Sequence, residues 1–380
     1  MISIEKITTR EGFERLEPVW NPLLEASASN SITLTWEWLT AWWDVFGQGR
    51  RLYILVVREG DEVIGIAPLL KRMVWRFGLI PYRRLEFLAS GENEADEICS
   101  DYLDFILQRG REAEALEAIF GYLHKHKSDW DEIIVTDMSG ESPNLRLLQS
   151  MCETGGAKCR IIRDQTCLYA PLPDSWDEFL AGLGSEFRRK IRKDRRILES
   201  AGGEVRVIDK LDGFESHFEE LIRLHQARWT ERGETGVFAG EKFTRFHRLL
   251  AHKAIPKGWL KLFLVYEAGE AISASYDFAY NGKMYYYQSG FAAGSGQLSS
   301  PGALVRSFAI EKAIEMGLSE YDFLKGEQGS YKSRWRCKTR SILQLRVAKP
   351  HSKEALYTAA AGIINRLRYV KRALMRYAAF

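Results

Sequence analysis

"SSPGALVRSFAIEKAIEMGLSEYDFLKG", Ser299–Gly326, reads as one helix running into one strand. Ser300 has the short polar side chain suited to an N-cap, and Pro301 fits the first helical position, where a missing N–H costs nothing. Gly317 fits the stop. Tyr321 to Leu324 follow as a strand, and alternation sets Tyr321 and Phe323 on one face, Asp322 and Leu324 on the other. The same helix-then-strand order occurs earlier, in "EAEALEAIFGYLHKHKSDWDEIIVTD", residues 112–137.

Two further pairs of segments echo each other. "ISIEKITTREGFERLEPVWNPLLE" (2–25) and "VRVIDKLDGFESHFEELIRLHQARW" (205–229) each read as a short strand, a Gly-Phe step and a helical pattern. "LVVREGDEVIGIAPLL" (55–70) and "FLVYEAGEAISASYDF" (263–278) each read as a hairpin, turning at Gly60-Asp61 or at Ala268-Gly269. A chain of 380 residues is too long for one core, and a pattern repeated at this spacing means two copies of one domain. The join is expected in "CLYAPLPDSWDEFL", where Pro171 and Pro173 interrupt the pattern. The expected division is 1–165, 166–350 and a C-terminal helix over 351–380, each copy being an α+β unit with a mixed sheet.

Composition is that of an ordinary globular protein, 46% hydrophobic and 28% charged, with a net charge of +3 too small to imply nucleic acid by itself. Five cysteines without a C-x-x-C pair argue against a disulfide framework and a structural zinc site, and no metal is expected. The start lacks a basic flank followed by an apolar core, and no apolar run reaches the ~20 residues that cross a bilayer, so a cytoplasmic location is expected.

The copies differ where the helix between their last strands begins. "SGFAAGSGQLSS" before Pro301 is rich in Gly and Ser and uncharged, so the free N–H groups and the positive dipole end are expected to stand open to phosphate oxygens. In the first copy Glu112, Glu114 and Glu117 fill the equivalent turns and would repel an anion. A good helix cap is the plain alternative. Neither a dinucleotide fingerprint, nor a G-x-x-x-x-G-K-[ST] loop, nor a G-x-S-x-G elbow is present.

After Leu324 come Lys325, Gly326, Glu327, Tyr331, Lys332, Arg334 and Trp335. An Asp inside a short apolar strand is uncommon unless paired or useful, and Lys325, Lys332 or Arg334 are its candidate partners. A carboxylate can take a proton, a phenol can give one and a cation can hold an anionic group, which is the set a transfer site requires.

The segments "ARWTERGETGVF" (227–238), "YYYQSGF" (285–291), "SPGALVRSFAIEKAIEMGLSEYDFLKG" and "YKSRW" (331–335) resemble the acyltransferase domain of the GNAT superfamily, in its CelD-type and FemAB-like subgroup. The resemblance implies two tandem GNAT-like mixed-sheet domains, the first degenerate and the second catalytic. It implies an acyl-CoA donor, probed first as acetyl-CoA, whose pyrophosphate would meet Gln297, Ser299, Ser300, Gly302 and Ala303; Ser300 replaces the first Gly of the family's Q/R-x-x-G-x-G/A. The sheet would splay between Met284–Ser289 and Tyr321–Leu324, with Tyr287, Gln288 and Ser289 beside the thioester and backbone N–H groups holding the oxyanion. Asp322 or Glu327 would be the base, Tyr331 would protonate the leaving thiolate, and Lys332 would orient phosphate or substrate. The acceptor implied is a small molecule or glycan precursor bearing an amine or hydroxyl. FemAB-like relatives use aminoacyl-tRNA instead, and a non-catalytic glycan-binding protein is a third reading.

The basic stretch "GSEFRRKIRKDRRILESAGG" places Arg188, Lys190 and Arg192 around an apolar stripe of Phe187, Ile191 and Leu198, as a solvated face or a clamp for an anionic substrate or tRNA. The basic helix is expected over 185–200. Arg228 beside Trp229 suits a sugar ring or a carboxylate, while His225 reads as a satisfied helix residue. "TWEWLTAWWDVFG" reads as core. The C-terminal stretch, with Ile363, Ile364, Leu367, Val370 and Leu374 set against Arg366, Arg368, Lys371, Arg372 and Arg376, is amphipathic and suits its own domain, a partner subunit or peripheral contact with the inner face of a membrane.

Overall fold

The computed structural model describes residues 1–349 except 77, 155–157, 293–297 and 328; Gln297 and the expected helix over 351–380 therefore lie outside the described residues. The first half runs β1 (Ile2–Ile7), α1 (Arg10–Glu14), α2 (Glu17–Glu25), α3 (Trp36–Phe46), β2 (Arg51–Leu52), β3 (Ile54–Glu59), β4 (Glu62–Ala67), β5 (Leu69–Arg76), β6 (Ile80–Phe87) and β7 (Ile106–Leu107). It continues through α4 (Glu112–Lys125), β8 (Glu132–Ser139) and α5 (Pro143–Thr154) into β9 (Lys158–Pro171). Next come α6 (Trp176–Ala181), α7 (Ser185–Ser200), β10 (Glu204–Ile208), α8 (Phe214–Thr230) and α9 (Glu241–Ala254). The chain closes on β11 (Leu260–Glu267), β12 (Glu270–Tyr280), β13 (Lys283–Phe291), α10 (Pro301–Glu315), β14 (Glu320–Lys325) and β15 (Lys338–Ala348). The three sequence echoes thus correspond to β1–α1–α2 and β10–α8, to the hairpins β3–β4 and β11–β12, and to α4–β8 and α10–β14.

Two sheets form, one in the order β1-β3-β4-β7 and a larger one in the order β10-β11-β12-β13-β14-β9-β15-β8-β6-β5-β2. Their joint is Pro68, which supplies no N–H and separates β4 from β5. The centre of the large sheet is an exchange of strands. β9, leaving the first half, pairs antiparallel with β14 of the second, from Glu320↔Pro171 to Lys325↔Cys167. β15, ending the second half, pairs with β8 of the first. Position 165, where the sequence pattern divides the chain, lies inside β9.

The core crosses the same boundary. Trp38 on α3 meets Phe246, Phe278 and Tyr287 edge-on, with ring centroids 5.3, 5.6 and 5.8 Å apart. Trp36, Trp38 and Trp42 are all buried, as the pattern of that stretch suggests. A second cluster, including Tyr286, Tyr321, Phe323, Ile310 and Trp335, fills the space between the sheet and helices α6, α7 and α10. Among the described residues no helix is long and apolar enough to cross a membrane.

β13 and α8 approach so closely that a Cβ at Gly290 would stand 2.3 Å from the backbone N of His225. The obstruction is backbone, so it cannot swing aside. Gly290→Ala is expected to destabilise the fold by about 1–3 kcal/mol, read as a lowered midpoint in urea unfolding at unchanged slope. A midpoint equal to the parent's would show that the contact is not close-packed.

Candidate functional site

β13 and β14 pair in parallel at only three positions, Lys283↔Glu320, Met284↔Tyr321 and Tyr285↔Asp322, and then part. Beyond the fork β14 finds its partner in β9, so the β14-facing edge of β13 from Tyr286 onward has no strand against it. Tyr321 and Phe323 face α10, as alternation predicts: Tyr286 stands 6.4 Å from Tyr321 and 5.9 Å from Phe323, centroid to centroid.

Arg306 reaches this aromatic cluster from the middle of α10. Its guanidinium lies 4.3 Å from the centre of the Tyr286 ring and donates a 2.6 Å hydrogen bond to the phenol oxygen. The same oxygen shares a proton with Ser289 Oγ at 2.5 Å and lies 3.4 Å from the Tyr331 hydroxyl. Burial works against ionisation of Tyr286, but Arg306, Ser289, Tyr331 and Lys332 outweigh it and hold the phenol below its usual value. Tyr331 is pushed the other way, by burial first and by Tyr286 second. The two phenols form a pair in which one gives up its proton more readily than the other.

A cavity of about 290 Å³ opens beside them, bounded by Phe187, Phe291 and Trp335, by Ser299 to Ala303, and by Arg228, Arg232, Arg306, Arg334 and Tyr331. No carboxylate lines it, and among the described residues none of the four arginines forms an ion pair. Arg228 Nε and Arg306 Nε are buried without a hydrogen-bond partner. Burial lowers the Arg228 pKa, Tyr286 and Tyr331 oppose that, and Arg232 and Arg306 add to it. Unpaired cations in a partly dry cavity are a site for an anion.

The mouth of α10 differs from the expectation in one respect. It is not uncharged: Asp194 of α7, almost fully buried, accepts the backbone N–H of Ser299 (3.1 Å) and of Ser300 (3.0 Å) as well as the Ser299 hydroxyl (2.7 Å). Ser300 occupies the cap position but makes no side-chain cap bond, and Asp194 bonds the two N–H groups just before the helix. Ala303 N–H turns back to the Ser300 carbonyl at 3.0 Å, while Gly302 N–H bonds to no described residue. A Cβ at Gly302 would lie 3.0 Å from the Phe291 ring, so the backbone is exposed to the cavity because that residue is Gly. In the first half Glu112 and Glu114 occupy the first turn of α4, and Glu112 accepts Gly110 N–H at 2.8 Å.

The remaining expected residues separate. Trp335 and Arg228 line the cavity with Ser299, Ser300, Gly302 and Ala303. Lys332 lies just beneath, its Nζ donating to the carbonyls of Phe323 (2.7 Å) and Lys325 (2.8 Å), and burial lowers its pKa. Glu327 is exposed on the loop after β14. Tyr287 turns away, half-buried against Trp38 with its hydroxyl on the Ile98 carbonyl. Gln288 sits beside His225, whose Nε2 accepts Trp229 Nε1–H at 3.0 Å, so neither His225 nor Trp229 is free. Arg188 donates to the Ala181 carbonyl (2.6 Å), and Arg188, Lys190 and Arg192 lie outside the cavity wall.

Asp322 is completely buried on the opposite face, apart from Tyr331 and Lys332. Its partners are not the expected Lys325, Lys332 or Arg334. They are the Tyr102 hydroxyl (2.7 Å), Leu324 N–H (2.7 Å) and Arg340 (3.4 Å). Burial first, and Glu320 second, push its pKa up to about 6. Tyr102 and Arg340 line a second cavity of about 350 Å³ between the halves. Arg306 was legible as an Arg inside the apolar run "ALVRSFAI"; Asp194, Tyr102 and Arg340 left no local signal.

Residues 185–333 match the family model described as an acetyltransferase (GNAT) domain. Among curated proteins, none matches the sequence. By structure the chain is similar to FemX, with a TM-score of 0.63 at 13% identity over 93% of this chain and 99% of that one. It is also similar to a conserved protein of unknown function from Bacteroides thetaiotaomicron VPI-5482, with a TM-score of 0.55 at 11% identity, covering 92% and 100% of the two chains. L-PGS from Bacillus licheniformis gives a TM-score of 0.51 at 11% identity, covering 90% and 94%. Residues 185–333 thus match a GNAT acetyltransferase domain, and over nearly its whole length the chain shares the fold of these solved proteins.

Asp277 is buried behind the cluster, accepting hydrogen bonds from Ser275 and Tyr321 at 2.8 Å each, and burial pushes its pKa up to about 7. An unfolded Asp loses its proton near about 3.9, so between the two values the folded state holds the extra proton and stability falls as pH rises. Asp277→Asn is expected to flatten that fall, measured as unfolding free energy from about pH 4 to about pH 7. An identical slope in both proteins would assign it elsewhere.

Proposed function

We propose that the chain is an acyltransferase that moves an acyl group, acetyl in the simplest case, from coenzyme A to an amine or hydroxyl acceptor such as a sugar or a polysaccharide precursor. The observation that carries this reading is the cavity of unpaired arginines opening beside the fork of β13 and β14. Arg228, Arg232 and Arg334 would clasp the donor's phosphates together with Gly302 N–H. The acyl end would then lie along the free edge of β13, where backbone N–H groups can receive the oxyanion. Tyr331, whose hydroxyl lies 3.4 Å from that of Tyr286, would give a proton to the leaving sulfur. On the opposite face Tyr102 can relay the acceptor's proton to Asp322, or Glu327 can take it from the loop. Donor and acceptor would thus approach the fork from opposite sides.

One observation favours a second donor. Asp194 takes two amides of the mouth that a pyrophosphate would use, and Arg189, Arg192, Lys193 and Arg196 are exposed along α7. Aminoacyl-tRNA, the donor implied by the FemAB-like resemblance, needs a basic track more than a helix mouth.

A thermal-shift series with acetyl-CoA, longer acyl-CoAs and tRNA separates the two. Acyl-CoA is expected to raise the melting temperature, and Arg228→Met and Arg232→Met are each expected to weaken its binding about tenfold or more, the worth of a charge-assisted hydrogen bond. A shift with tRNA alone, abolished by ribonuclease, would replace the CoA reading. No shift with any donor and no acyl transfer would overturn both.

A further inference from the structure

The β5–β6 hairpin stands out from the sheet. The strands pair from Leu69↔Phe87 to Arg76↔Ile80, but β2 covers β5 only at Leu70 and Lys71, and β8 covers β6 only from Arg84 to Glu86. Among the described residues, no strand neighbours the ribbon from Met73 to Arg76 or from Ile80 to Arg83. A two-stranded ribbon is marginal alone, and ion pairs brace this one: Arg76 to Glu132 at 2.8 Å and Arg83 to Asp131 at 2.7 Å.

The side chains at its end face water. Leu79 is 80% exposed, Trp75 63% and Met73 54%, more than any other large apolar residue described except Met1. Met73 and Trp75, two apart on β5, share one face. A soluble surface rarely concentrates a Trp, a Leu and a Met at one projection unless something covers them.

The surrounding charge says what covers them. Residues 71–86 carry five Lys or Arg, of which Arg72, Arg76, Arg83 and Arg84 share the three carboxylates of Glu86, Asp131 and Glu132, so cations still outnumber acids around the hairpin. Ala348 pairs with Glu132, Glu132 with Arg84 and Arg84 with Arg72, so the last strand ends level with the middle of the hairpin. The sequence after Lys349 carries six more Lys or Arg and one acid, Glu354. Like charge argues against this tail, or a second basic hairpin, as the cover. It matches an anionic surface that is apolar just beneath, where Trp is favoured at the boundary and each nearby cation adds attraction.

We propose that the β5–β6 hairpin docks the protein on an anionic lipid bilayer, with Trp75 and Leu79 entering the headgroup boundary. The full chain is co-sedimented with vesicles of phosphatidylcholine alone and of phosphatidylcholine with one third phosphatidylglycerol. Binding is expected to the phosphatidylglycerol vesicles and to fall as salt is raised. Trp75→Ser combined with Leu79→Ser is expected to weaken it about tenfold or more at unchanged melting temperature, because both side chains are exposed. Trp75→Phe alone is expected to keep most of the binding. Vesicle binding that ignores the double substitution would overturn the proposal by placing the contact elsewhere. Self-association lost on the double substitution, with no vesicle binding, would overturn it in favour of a contact between copies.

Discussion

The antiparallel pairing of β9 with β15, eleven register positions from Lys338↔Tyr169 to Ala348↔Lys158 with one bulge at Ile162, is the constraint on which the rest hangs. Each strand ends one half of the chain and pairs on its other side with a strand of the other half. β14 is therefore hydrogen-bonded by β9 and need not follow β13 past Tyr285. The fork is a consequence: past Asp322 the backbone of β14 is satisfied by β9 and by the side chains of Asp322, Asp101 and Lys332, and the edge of β13 is left without β14.

The exchange also explains two buried glutamates. Glu132 opens β8 and Glu320 opens β14, and in each the parallel neighbour supplies the cation at the paired position, Arg84 at 2.7 Å and Lys283 at 3.2 Å. β15 then sends Arg346 to Glu132 (2.6 Å) and Arg340 to Glu320 (3.0 Å). The halves preserve the same ionic anchor at the root of the same parallel pair. Only in the second half does α10 lie over the fork with a guanidinium aimed at it.

Much of this was legible because it is local. The order of strands and helices, the start of α10 at Pro301 and the faces of Tyr321 and Asp322 follow from periodicity, caps and alternation. The partners across the molecule were not. Asp194 reaches Ser299 across 105 positions and Tyr102 reaches Asp322 across 220, and no window contains both ends of such a contact. The sequence pattern marks Asp322 as a residue needing a partner, but nearby cations compete as candidates, and the strand exchange selects the distant Arg340. Tyr287 misleads for a related reason: its segment alternates correctly, but its face is set by the first half's Trp38, which packs against it.

The electrostatics of the cavity then follow from what each group can shed. Arg306 is almost fully buried and cannot release its proton, so it imposes its charge on the nearest group able to respond, which is the Tyr286 phenol. Arg228, less buried and with no phenol bonded to it, is instead held below its usual pKa by burial. The inner guanidinium is thus engaged by a phenol, while toward the mouth Arg232 and Arg334 add exposed cations. Asp194 does not cancel them, because its oxygens are spent on the Ser299 and Ser300 donors. An anion entering there would meet cations before amides, so the arginines would govern its affinity and the Gly302 N–H its orientation. On the proposed reading, that division would leave the phenol pair to handle protons, with the arginines holding the charge.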